Sequence, residues 1–156
     1  MKHLFACLFA GAFFIACTNN DRAKEPGESP ATISLVMEDF EIRYKDVAGI
    51  RVSKDGKIYQ GTDSIGSIDI HGTVKNRDGH TVAKFNKDTL ISLDDNTRAR
   101  ISEEGAIDNG SGTVMLWSAD GKLMNGTTET GYTITPVDTK ARRTASIVVF
   151  HYLLFN

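Results

Sequence analysis

Two cysteines and four histidines are the residues of this 156-residue chain with the widest chemical reach, and their spacing decides what they could do. Cys7 lies inside an apolar run from Leu4 to Ala16, and Cys17 stands where that run stops. It is the one thiol outside the run and so the natural nucleophile. His71 and His80, nine residues apart with Asp69 and Asp78 beside them, have the donor types of a transition-metal site if a hairpin joins them. The same residues serve as turn-flanking surface groups, and no metal is assigned. Asp55, Asp78 and Asp120 each precede a glycine, which suits a tight turn better than calcium, whose sites need several converging oxygens. Glu103-Glu104 and Asp94-Asp95 are sequence neighbours, which point to opposite faces of extended chain and make a poor acid-base pair. No Gly-x-Ser-x-Gly turn, phosphate-binding loop, dinucleotide fingerprint or His-Glu-x-x-His occurs. No catalytic residue and no cofactor is therefore assigned, and a non-enzymatic role is expected.

Met1 to Cys17 reads as an export leader. One basic residue, Lys2, precedes an apolar run of signal-peptide length, too short for a stable bilayer span. Phe14-Ile15-Ala16-Cys17 resembles the lipobox of bacterial lipoproteins, with Phe14 where leucine is commonest. That resemblance implies a signal peptide over 1–16, cut before Cys17, with a diacylglyceryl group on the Cys17 sulfur and a fatty acid such as palmitate on the new amine. The mature chain would then hold a membrane through its N-terminal lipid. Thr18 comes directly after the cysteine, and in the sorting rule of Gram-negative lipoproteins the absence of Asp there favours the outer membrane. The domain would face the periplasm or the cell surface, with the leaflet left open.

With Cys7 removed alongside the leader, no disulfide is possible, so the mature domain must be stabilised by packing or repetition. Thr18 to Pro30 has two of the three prolines and no large apolar side chain, so 17–31 is expected to be a flexible tether. Fully extended it would reach roughly 40 Å. Loss of Lys2 leaves 17 basic against 20 acidic residues, scattered in sign, with no basic face for nucleic acid.

The elements that must carry any site come from a repeat. Gly56-Lys57-Ile58, Gly72-Thr73-Val74, Gly105-Ala106-Ile107 and Gly121-Lys122-Leu123 recur at about sixteen residues, and Asp88-Thr89-Leu90 fills the missing step as a degenerate copy. The second half of each unit repeats as Ile65 with Ile68, Val82 with Phe85, Arg98 with Ile101, Val114 with Trp117, and Tyr132 or Ile134. Units this short hold two strands joined by Gly- and Asp-rich turns, not a helix pair. The fold class is all-β: five short β-hairpin repeats, over roughly 49–137, closing into a ring or barrel-like flower within a domain spanning 32–156. Closure removes the exposed edges that an open array would leave. Thr32 to Val52 looks like an N-terminal strand, alternating at Phe40, Ile42 and Tyr44. The hydrophobic tail Ala145 to Phe155 has two readings: a buried strand or short helix that plugs the ring, or a membrane- or partner-docking end. At about eleven residues it cannot span a bilayer.

The chain is similar to a family of small bacterial envelope lipoproteins built as a five-fold β-flower. Asp55-Gly56-Lys57-Ile58, Ile65-Gly66-Ser67-Ile68, His71-Gly72-Thr73-Val74, the run Asp78 to Phe85 and the tail Ile147 to Phe155 carry the resemblance, over roughly 48–156. It implies the flower fold and no activity. The third unit departs from the pattern, with Asp88 for glycine and Arg98 for valine, so an outward or irregular petal is expected there. Two function classes stand: a lipid-anchored structural or protein-interaction role, or a glycan- or small-ligand-binding module. The second would use the ring's central opening or the rings of Tyr59, Tyr132 and Trp117, since flat rings stack on sugars. Trp117 shares a repeat position with Ile68, Phe85 and Ile101 and reads first as core, while Tyr59, one residue off the Ile58 row, reads as outward. The partners expected are the membrane and an envelope protein or glycan.

Overall fold

The computed structural model describes residues 34–45, 47–93 and 96–154. Strands β1 (Phe40–Tyr44), β2 (Val47–Val52), β3 (Lys57–Gln60), β4 (Asp63–Ile68), β5 (Thr73–Asn76) and β6 (Thr81–Asn86) form the first half of an antiparallel barrel. Strands β7 (Thr89–Ser92), β8 (Arg98–Ile101), β9 (Ile107–Asp108), β10 (Val114–Trp117), β11 (Lys122–Asn125) and β12 (Thr128–Thr135) complete it, and β12 pairs with β1 to close the wall. Helix α1 (Arg142–Val149) comes next and runs on into a π-helical turn, Phe150–Leu154. The five repeats are the hairpins β3–β4, β5–β6, β7–β8, β9–β10 and β11–β12. The N-terminal segment, read from sequence as one strand, forms a sixth hairpin, β1–β2, because Lys45 takes a left-handed conformation that turns the chain back.

Four of the five joins between hairpins at one end of the barrel use a turn of one type; the β6–β7 join is instead a two-residue turn, with Asn86 paired to Thr89 and Lys87 at positive φ. Ser53, Asp69, Ser102 and Ser118 open these turns, each donating its N–H to the carbonyl four residues on, and Gly56, Gly72, Gly105 and Gly121 supply the positive φ. The glycine also faces inward. Its carbonyl accepts the N–H of a core residue in the second strand of the hairpin it opens: Gly56 from Ile68, Gly72 from Phe85 and Gly121 from Ile134, all at 2.8 Å. Asp88 makes the same bond to Ile101, at 2.6 Å, so the degenerate third unit keeps the backbone bond although the glycine is gone.

Alternation along each strand sends Ile42, Ile50, Val52, Ile58, Ile68, Val74, Leu90, Ile101, Ile107, Leu123 and Ile134 inward, where each is essentially fully buried. A barrel's diameter grows with strand number, and at about eight strands side chains alone just fill the interior. Twelve strands need a filler. Helix α1 supplies it: Ala141, Thr144, Ala145, Ser146, Ile147, Val148, Val149 and Phe150 are all buried. The tail is β-branched, yet it is helical, because a helix satisfies its own backbone inside the barrel whereas a lone strand there would leave its N–H and C=O groups unpaired.

Candidate functional site

The leader 1–16, Cys17 and the tether 17–31 lie outside the described residues. The described chain starts beside the β4–β5 turn, where the Leu35 N–H donates to the Ile70 carbonyl at 2.8 Å.

The barrel's centre is a hydrogen-bonded plug. At the glycine end, Glu38 accepts both the Thr139 hydroxyl (2.7 Å) and the Lys140 N–H (2.9 Å), while Thr139 Oγ1 accepts the Ala141 N–H (3.1 Å). These bonds hold the Glu38 carboxyl below its ordinary range and place a negative charge by the helix N-terminus, where the helix dipole favours it. One turn on, the Thr144 hydroxyl donates to the Val36 carbonyl at 2.7 Å. The Arg143 guanidinium lies 4.8 Å over the Phe85 ring and donates to the carbonyls of Lys87 and Ile101. Trp117 Nε1 donates to Ser146 Oγ at 2.8 Å, and that hydroxyl donates in turn to the Gly105 carbonyl. At the far end the Tyr152 phenol reaches the Lys75 carbonyl, in space left by the missing side chain of Gly66. Burial pushes that phenol up to about 12.

The candidate ligand residues are not brought together. Trp117 is only 8 % exposed and its indole N–H is spent on Ser146, so it lies in the core. Tyr59 faces outward opposite Arg51, whose guanidinium covers one face of the ring at 4.5 Å. Tyr132 faces inward at the far mouth, 4.9 Å from the Tyr44 ring, with its hydroxyl 3.3 Å from the Leu153 carbonyl. Burial raises its phenol above the usual tyrosine range. Tyr59 and Tyr132 therefore share no surface, and the ring's central opening is filled by α1.

His71 and His80 flank opposite ends of β5, so the hairpin separates them. Asp69 spends Oδ1 on the N–H groups of His71 and Thr73, and Asp55 and Asp120 accept the Ser53 and Ser118 hydroxyls. Those serine bonds hold both carboxyls below the ordinary aspartate range. Among the described residues, no group of three or more His, Cys, Asp or Glu side chains is placed to hold a metal ion.

A polar irregularity of the outer wall lies at β8. A cleft of about 450 Å³ opens there, lined by both arginines of that strand and by the β9–β10 connection. Sequence reasoning marked Arg98 as a departure from the repeat but did not pair it with Arg100; the spacing of two was the available signal. No family model, curated protein or solved structure matches this chain.

Proposed function

We propose that this chain is a lipid-anchored protein of the bacterial cell envelope, resembling the β-flower lipoproteins, with a non-enzymatic structural or protein-interaction role. The observation that carries the reading is Cys17, placed directly after a small residue at the end of a signal-length apolar run. The polar tether after Cys17 and the disulfide-free domain beyond it, stabilised by closure and by its own plug, support the same reading. The outer membrane is the proposed location. Because the plug occupies the interior, the exposed wall and turns are the surfaces left for a partner. Enrichment of the tagged protein from solubilised envelopes tests the role, with one stable envelope protein recovered as the expected result. A hydrolytic activity abolished by a single His or Asp substitution would overturn it. Saturable thermal stabilisation by oligosaccharides would move the assignment to the glycan-binding class.

A further inference from the structure

The irregular third repeat places two guanidiniums in one cleft. β4 and β6 each carry a bulge against the preceding strand, which turns Ile65 and Val82 toward the core. β8 pairs with β7 without a bulge, so Arg98 and Arg100 share the outward face while Ala99 and Ile101 point in. β9 has two residues and pairs only with Arg100 and Ile101, so the Arg98–Ala99 half of β8 has no strand beside it on that flank. The cleft opens in that gap, lined by Thr89, Arg98, Ala99, Arg100, Asp108 and Asn109.

Among the described residues neither arginine is held in an ion pair. Asp108 is the register partner of Arg100, yet its Oδ1 accepts the Gly110 N–H at 2.8 Å. Asp88 accepts the Thr89 hydroxyl at 2.9 Å. Among the described residues no carboxylate lies within ion-pair distance of either guanidinium. Three other wall cations are paired: Arg43 with Glu41 at 3.2 Å, Lys57 with Asp55 at 3.5 Å and Lys122 with Glu129 at 2.7 Å. Adjacent like charges repel, and an anion between them removes that cost.

We propose that this cleft binds a phosphomonoester. Two planar guanidinium forks match the several oxygens of a phosphate, whereas a carboxylate has only two oxygens to share between them. The volume suits a small ligand. No aromatic ring lines the cleft, so recognition rests on the phosphate and not on a stacked base or sugar. The site is independent of the lipid anchor and of the partner proposed above.

The test is titration of the full chain, purified in detergent, with glycerol 3-phosphate and separately with acetate, monitored by calorimetry and by arginine Nε–H resonances. Saturable binding is expected, with acetate weaker by about tenfold and with Arg98→Gln and Arg100→Gln each losing about tenfold. Arg98→Lys, which keeps the charge and loses the fork, should lose part of the affinity. Arg43→Gln, the same charge change on a paired wall arginine, should leave affinity unchanged. A linear, unsaturable response, equal affinity for acetate, or an equal loss in Arg43→Gln would overturn the site. Should Arg98→Gln lose its cooperative melting transition, Arg100→Gln and Arg98→Lys decide in its place.

Discussion

The Ser146 hydroxyl sits at a gap in the barrel's hydrogen-bond pattern. The inward carbonyls of Gly56, Gly72, Asp88 and Gly121 take a backbone N–H from the second strand of their own repeat, whereas Gly105 takes Ser146 from the plug, and Trp117 completes the chain of bonds. Ser146→Ala would strand a buried indole N–H and a carbonyl together, so a loss of about 2–4 kcal/mol is expected in denaturant unfolding. The loss should shrink in a Trp117→Phe background, since one orphan is already gone. The turn glycines divide by surroundings. A Cβ on Gly105 would lie 2.7 Å from the Arg142 carbonyl, while one on Gly79 meets nothing within 4 Å. Both have positive φ, so Gly79→Ala should cost about 1–2 kcal/mol and Gly105→Ala clearly more, by the same measurement. Tyr152 gives a pH signature. Its folded phenol titrates near 12, above the ordinary value of 10, so the unfolded chain releases its proton first as pH rises. The tyrosine contribution to stability is therefore complete below pH 10 and lost between 10 and 12. Melting temperatures of wild type should fall across that window more steeply than those of Tyr152→Phe.

At the scale of elements, the bulges decide what a sequence reader can see. Ile65 with Ile68 and Val82 with Phe85 repeat at three residues because a bulge inserts one residue between inward positions. In β8 and β10 the pairing has no bulge and inward residues alternate, so Ala99 and Met115 take the inner positions and Arg98 and Val114 face out. Repeat spacing and Gly turns were thus enough for hairpins, closure and Trp117 as core, while the face of a given side chain depended on bulges that no residue type marks. The tail's helical state was equally hidden, since its β-branched residues favour a strand locally and only enclosure by twelve strands reverses that. The Arg98–Arg100 cleft was half legible, as a broken repeat without its consequence. Deleting 142–156 would leave a twelve-strand wall around an unfilled interior. Loss of the cooperative thermal transition by calorimetry is the expected outcome, and a folded truncation would show that the wall stands without its plug.

At the scale of the whole molecule, the described strands close into a wall whose sheet is interrupted beside the two-residue β9, and buried residues of α1 fill its interior. A domain of that kind is a body to be positioned, and the proposed lipid at Cys17 is what positions it. The most direct test is metabolic labelling with palmitate of wild type and Cys17→Ser, read on the immunoprecipitated protein. Label in wild type, confined to the membrane fraction, and none in Cys17→Ser is the predicted result. Unlabelled wild type, or label that persists in Cys17→Ser, would contradict the anchor.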